Sequence, residues 1–375
     1  MSEKTGISMI IATKGRVKLL ENLILTIDAE RSSYDGPTEL IIVDDSNQDE
    51  ALQVEALCRE HDAVYVPFGP SVCAKRNLGG RTASQPVLLF LDSDCLVTPG
   101  ILDRHEAAYH VDERVGAVCG LLEFTGEGGR FWDCVSRSQF VICFDMAKWG
   151  RTVPWGTTAN FSVRKDVFEE IGGFDEGFPN KPGGEDVDFG LRIGKHGYAI
   201  AAEPKALVLH DKATWTPVKA MYRRVWNYGR ADTYVMDRHP DKLISCSPRR
   251  TLVFLLAAAF SIVMGLAVSP LCLISIPLWL FTDIVGTSAL MVRLAPFNRA
   301  TLGQQIVIQT LILTNEGGFV FDCLKRRRTR YLTKQLAYFE NQMKGVIFNS
   351  SILAAGIVIS VLACLAFNAV IALVS

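Results

Sequence analysis

The chain has 375 residues, enough for one large domain or two ordinary ones. A formal net charge of −1 leaves no global electrostatic footprint for nucleic acid, so no nucleic-acid partner is expected. The mean hydropathy of +0.20 averages two unlike halves: residues 1 to about 245 alternate apolar and polar segments, and the rest contains long uncharged runs.

Ile7 to Ala12 is a nearly continuous apolar run, as expected of a strand buried on both faces. It is too short for a signal peptide. Leu19, Leu20, Leu23, Ile24 and Ile27 then recur at helical spacing. Glu39 to Val43 reads as a second buried strand, ending on Asp44-Asp45-Ser46. A helix is expected from about Glu50 to Glu60, a strand at Val64 to Val66 and a helix from Ser71 to Ala83. Pro86 to Leu91 is a fourth strand, ending on Asp92-Ser93-Asp94. Repeated βα units argue for a mostly parallel, helix-covered sheet, where ligands bind beyond the carboxyl ends of the strands. Phe124 to Gly156 is irregular and rich in Gly, Trp and Phe. Asp186 to His196 reads as a helix, and Tyr198 to Ala202 and Ala206 to His210 as two strands. Thr216 to Tyr234 reads as a helix carrying Arg223, Arg224 and Arg230.

The membrane portion begins after Arg249-Arg250. Residues 251–269 and 271–291 read as a helical hairpin and 347–374 as a third span, about 20 apolar residues being needed for each. Asp283 is an oddity inside the second. Between the spans, residues 293–345 carry nine Lys/Arg against three Asp/Glu, so this basic loop is expected in the cytoplasm with the N-terminal domain. Gln304 to Phe321, interrupted by Asn315-Glu316-Gly317-Gly318, reads as interfacial rather than spanning. Ten cysteines without Cys-x-x-Cys or zinc-like spacing fit reduced thiols of a cytosol-facing protein. The expected domains are 1–240 catalytic, 241–250 juxtamembrane linker and 251–375 membrane. The expected location is a multi-pass protein of the inner (cytoplasmic) membrane with its catalytic domain facing the cytoplasm.

Two carboxylates two residues apart at a strand end, Asp92 and Asp94, suit Mn²⁺ or Mg²⁺ bound together with phosphates. Alone, such a pair is more often a solvated turn. Asp44 and Asp45 suit hydrogen bonds to a base or ribose, and Asp45 or Ser46 suits a helix cap. In Gly183-Gly184-Glu185-Asp186-Val187-Asp188 a glycine loop meets an acidic helix start. Asp188 serves the helix dipole, whereas Asp186 suits deprotonation of an acceptor hydroxyl. His210 ends an apolar strand.

Taken in order, Ile11-Ala12-Thr13-Lys14-Gly15-Arg16, Ile41-Ile42-Val43-Asp44-Asp45-Ser46, Ala74-Lys75-Arg76-Asn77 and Phe90-Leu91-Asp92-Ser93-Asp94 resemble the family 2 glycosyltransferases of GT-A fold. Asn160-Phe161-Ser162-Val163-Arg164, Gly172-Gly173-Phe174-Asp175, Gly184-Glu185-Asp186-Val187-Asp188 and His210 continue the match, over roughly residues 5–215. The resemblance implies an α/β GT-A nucleotide-diphospho-sugar transferase fold, a Rossmann-like mixed sheet, followed by an α-helical membrane domain. It implies that Thr13, Asp44 and Asp45 contact the nucleotide, typically UDP, and that Arg76 and Asp92 face the donor, with Arg16 and Ser93 in the same set. It implies that Asp94 and His210 hold Mn²⁺ or Mg²⁺ and that Asp186 is the general base of an inverting displacement. Trp155, Gly184 and Glu185 fall on the acceptor side. The expected partners are a nucleotide-sugar donor, a lipid-linked, glycan or peptide acceptor, and the lipid bilayer. No Gln-x-x-Arg-Trp follows His210, which speaks against a processive cellulose- or hyaluronan-synthase type. Three readings follow: transfer to a lipid-linked or membrane-proximal acceptor, transfer to a peptide or small molecule by an enzyme docked on the membrane, and a non-catalytic membrane scaffold.

Overall fold

The computed structural model describes residues 4–179, 183–246, 248–294, 300–337 and 344–374, with side chains from residue 352 in the last stretch. It divides into two compact units, Met1–Gly128 with Val141–Trp215, and Gly129–Phe140 with Thr216–Ser375.

The first unit is built on a nine-stranded sheet. Its strands are β1 (Ile7–Thr13), β2 (Thr38–Asp44), β3 (Val64–Pro67), β4 (Val87–Asp92), β5 (Cys95–Val97), β6 (Val115–Thr125), β7 (Thr152–Val153), β8 (Asn160–Arg164) and β9 (Ala199–Asp211). They lie in the order β3-β2-β1-β4-β8-β6-β9-β5, with β7 on β9. The first four strands are parallel, whereas β8 runs antiparallel between β4 and β6. The sheet is therefore mixed. Ile7, Met9, Ile10 and Ile11 of β1 are all buried, because helices cover both faces. The helix Val17–Ser33 buries Leu20, Leu23, Ile24 and Ile27 against one face. Side chains cap the next two helices: Asn47 accepts from the amide of Glu50, and Ser71 from that of Ala74.

The two strands expected at Tyr198–Ala202 and Ala206–His210 are one, β9. Against β6, Glu203 pairs with Gly120 and Leu207 with Leu121, so Pro204, Lys205 and Ala206 stand outside the ladder. Proline has no amide hydrogen to give to a ladder, and a bulge is where a strand tolerates it. The buried Asn160 side chain donates to the carbonyls of Leu121 and Ala206, both at 2.9 Å, and so satisfies the opened backbone. Within the segment read as irregular, β6 continues to Thr125, followed by a 3₁₀ turn at Ile142–Lys148 and β7.

The second unit is mainly helical. Among its described residues, three segments are long and apolar enough to cross a membrane: Arg250–Ala267, Pro270–Leu294 and Ile352–Val374. The second changes from a 3₁₀ turn behind Pro270 to α-helix, passes through a π turn at Thr282–Gly286 and returns to α-helix. Asp283 in that π turn is fully buried and ion-paired with Arg250. The stretch expected as a basic loop holds a 24-residue helix, Leu302–Lys325, started by a capping box of Thr301 and Gln304. Asn315-Glu316-Gly317-Gly318 does not interrupt it. A Cβ on Gly318 would lie 2.1 Å from the carbonyl oxygen of Trp226, and one on Gly229 would lie 1.8 Å from that of Asn315. These glycines let this helix and Val218–Arg238 approach backbone to backbone. Arg230 of the latter helix is paired with Asp322 at 3.5 Å. Residues 243–245 of the expected linker pair antiparallel with Lys334–Leu336.

Candidate active site

The carboxyl ends of β1, β2 and β4 bring the sequence-marked residues to one edge of the sheet. Thr13 pairs with Asp44 across the parallel ladder, and Ala12 with Asp92. The buried Lys75, on the helix Val72–Thr82, ties this edge together. Its ammonium donates to the Thr13 carbonyl at 2.6 Å and to Asp45 Oδ1. Lys14 takes the other Asp45 oxygen at 3.2 Å. Burial lowers the Lys75 pKa, and Asp45 opposes that shift. Asp44 is held in its own loop: Oδ1 accepts from the Ser46 amide at 3.0 Å and hydroxyl at 2.5 Å, and Oδ2 from the Tyr65 hydroxyl at 3.3 Å.

Arg76, on the same helix, is buried and reaches two elements. Nη2 lies 3.3 Å from Asp92 Oδ1 and Nη1 lies 3.3 Å from Glu185 Oε1. The other Glu185 oxygen accepts from the Gly183 amide at 3.0 Å. Gly183 and Gly184 have φ of 136° and 90°, a region open to glycine, and they turn the chain into the helix Glu185–Lys195. Asp186 in its first turn is half-buried, and one oxygen accepts from the Val187 amide at 2.9 Å. Its pKa is raised to about 7, first by burial and then by the neighbouring Glu185 charge, while Arg76 pulls it down. Trp155 is buried against the body of that helix: a Cβ on Gly190 would come within 2.4 Å of the Trp155 Cα.

Asp94 and His210 meet on the other side of the strand end. His210 is placed by its register opposite Cys95 of β5 and Phe124 of β6. Its Nε2 lies 3.3 Å from Asp94 Oδ1, and its Nδ1 lies 3.0 Å from the Asp211 carbonyl. Asp94 Oδ2 accepts from Arg16 Nη1 at 2.7 Å and from the Thr214 hydroxyl at 3.2 Å. Ser93 between the two aspartates is buried. Ligand atoms of Asp94, Cys95 and His210 lie within 4.8 Å of one another. Burial pushes the Cys95 thiol well above its ordinary pKa, and the protonated thiol is a poor ligand. The carboxylate of Asp94 and the imidazole of His210 would suit a divalent cation, Mn²⁺ somewhat better than the harder Mg²⁺.

The structure thus joins Arg76, Asp92 and Glu185 in one cluster and Arg16, Asp94 and His210 in another, and sets Trp155 behind the helix that carries Asp186. Sequence reasoning missed Lys75 and Thr214. Lys75 lies inside the Ala74-Lys75-Arg76-Asn77 motif, where only its burial marks it. No motif marks Thr214.

A family model described as "Glycosyl transferase family group 2" matches residues 87–295, more than half of the chain, and "Glycosyltransferase like family 2" matches residues 8–112. Validoxylamine A glucosyltransferase of Streptomyces hygroscopicus subsp. jinggangensis is 26% identical over 220 residues, covering 51% of this chain and 52% of that protein. Pre-mycofactocin glycosyltransferase of Mycobacterium tuberculosis is 27% identical over 256 residues, covering 63% of this chain and 48% of its own. The chain spans about half the length of these relatives. Among solved structures, the mannosyltransferase PcManGT of Pyrobaculum calidifontis, held with GDP-Man and Mn²⁺, superposes with a TM-score of 0.52 at 16% identity, over 86% of this chain and 88% of that one. The likeness is one of fold: the mixed sheet and its helices are those of a GT-A glycosyltransferase. A chain matched over more than half its length by one family's model, with that family's fold, belongs to glycosyl transferase family group 2.

Proposed function

We propose that this chain is an inverting, metal-dependent glycosyltransferase that moves a sugar from a nucleotide-sugar, a UDP-sugar first of all, to a lipid-linked or membrane-proximal acceptor. The observation that carries this reading is Arg76, which links Asp92 to Glu185 and so ties the Asp-x-Asp strand end to the helix start bearing Asp186. A donor over Asp92 and an acceptor over Asp186 would then share one rigid frame. Asp186 takes the proton from the acceptor hydroxyl. The hydroxyl oxygen bonds to the anomeric carbon from the face opposite the diphosphate, and the bond from that carbon to the diphosphate breaks with its electron pair. A carboxyl with a pKa of about 7 is matched to this work near neutral pH. Asp94 and His210 would hold a divalent cation, which would supply positive charge for the departing diphosphate. Thr13, Asp44 and Asp45 face the nucleotide; Arg16 and Ser93 flank its phosphates; Trp155, Gly184 and Glu185 shape the acceptor side.

The proposed domains are 1–240 catalytic and 251–375 membrane. The arginines at 326, 327, 328 and 330 support a cytoplasmic position for the segment between the last two spans, and with it a catalytic domain on the cytoplasmic side of the inner membrane. The test is to incubate membranes holding the full chain with labelled UDP-sugars, and with GDP-sugars in parallel, and to partition the product. Label in the organic phase is expected. The second reading, a peptide or small-molecule acceptor, is favoured by relatives named for validoxylamine A and pre-mycofactocin. Label confined to a new aqueous product would establish it and overturn the first.

A further inference from the structure

Arg16 occupies an unusual backbone position. It lies at φ 57°, ψ 37°, directly after Gly15 at φ 61° and directly before the helix Val17–Ser33. A residue with a Cβ is disfavoured there, and an arginine needs a compensating contact to persist. That contact is Asp94: Nη1 to Oδ2 is 2.7 Å. The Asp94 side chain is 6% exposed and that of Arg16 47% exposed. A buried carboxylate without a cation is strongly unfavourable, and the guanidinium supplies the charge. The same carboxylate, with His210 Nε2 at 3.3 Å from its other oxygen, is the proposed metal ligand. A divalent cation at Asp94 therefore meets a positive charge already in place, on a side chain exposed enough to leave.

We propose that Arg16 is a stand-in cation at the metal site: it holds Asp94 in the donor-free enzyme and yields it when a nucleoside diphosphate draws the guanidinium onto its phosphates. Metal and diphosphate then bind cooperatively, beyond the coupling due to direct metal–phosphate contact, because each makes room for the other. The inference rests on the reading of Asp94 and His210 as the metal site.

The test is Mn²⁺ titration of the detergent-solubilised full chain by calorimetry, first without nucleotide and then with UDP. Arg16→Gln is expected to bind Mn²⁺ alone roughly two- to fivefold more tightly than wild type, the factor by which competition from one part-exposed ion pair weakens a site. The further tightening on adding UDP should shrink by a similar factor. Arg16→Lys should stay near wild type. Arg16→Gly, which suits the left-handed backbone, should reproduce Arg16→Gln and covers the case in which the glutamine variant does not fold. Unchanged or weaker Mn²⁺ binding by the folded glutamine or glycine variant overturns the proposal. Asp94→Asn separates the two failures: if it does not weaken Mn²⁺ binding, the metal-site reading falls and takes the proposal with it.

Discussion

The guanidinium of Arg250 meets the carboxylate of Asp283 with both groups fully buried, Nε standing 3.0 Å from one oxygen and 3.3 Å from the other. Nη2 also donates to Asp283, and Gln309 accepts from Nη1 at 2.6 Å. The aspartate that looked out of place in an apolar span is thus partnered by the first residue of the preceding span. Removing one partner leaves a buried charge. Arg250→Met and Asp283→Leu are each expected to destabilise the second unit by about 3–5 kcal/mol, whereas the two combined should be close to neutral. Thermal melts of the solubilised full chain, read as a double-mutant cycle, measure the difference. Equal losses in the single and double variants would show that the pairing does not matter.

Asp186→Asn should nearly abolish transfer while UDP affinity stays within about twofold, since an amide cannot take the proton. In the wild type, kcat should rise with pH through a limb centred near 7, the pKa to which burial raises this carboxyl. The stability effect has the opposite direction. A carboxyl whose pKa is raised on folding from the ordinary 3.8 favours the folded state fully below that value, and the benefit is lost as pH rises through about 7. Relative to wild type, the asparagine variant should therefore melt higher at pH 8 than it does at pH 5. A loss of UDP affinity without loss of turnover would move the base elsewhere.

Arg76→Lys keeps a positive charge but cannot span Asp92 and Glu185 with two nitrogens. It should lower kcat/KM for the donor by about tenfold or more, the consequence of misplaced reacting groups. Donor and acceptor kinetics alongside a thermal melt decide it: full activity would remove Arg76 as the link between the two halves of the site.

Asp94→Ala and His210→Ala should each weaken Mn²⁺-dependent UDP binding by roughly 10-fold or more while leaving metal-free UDP binding in place. Calorimetry with and without EDTA reads both. Wild-type turnover that is complete in EDTA would contradict metal dependence.

The close helix crossing gives a prediction for the second unit. Gly318→Leu should destabilise it by about 1–3 kcal/mol, because the new side chain meets the Trp226 backbone rather than a movable group. Gly317→Ala, whose Cβ would stand 3.1 Å from the Trp226 ring edge, should cost less. Similar melts for the two would mean that the crossing yields easily.

Much of the site was legible because parallel strands announce their ends. Thr13, Asp44-Asp45 and Asp92-Ser93-Asp94 each follow a continuous apolar run, and that pattern alone gathers them at one edge. What stayed hidden depends on distance along the chain or on neighbours. Lys75 looks like any helical lysine until its ammonium is found on Thr13 and Asp45. Arg16 and Asp94 are 78 residues apart, and no spacing rule connects them. Gly317-Gly318 was misread as a break because a glycine that permits close packing and one that ends a helix are written alike. β9 was split in two because Pro204 disturbs the alternation without ending the strand.

That disturbance has a consequence for how His210 is held. Pro204, Lys205 and Ala206 stand outside the ladder, so the stretches on either side of them each find their own register on β6. The downstream stretch is also fixed from the opposite side by β5, through the pairs Cys95 with His210 and Val97 with Val208. The histidine's place therefore does not depend on how many residues precede it. Pro204 and Lys205 form an exposed corner while Ala206 is buried with its carbonyl held by Asn160, so the mismatch between the two strands is absorbed at that corner and the downstream pairing sets the imidazole beside Asp94.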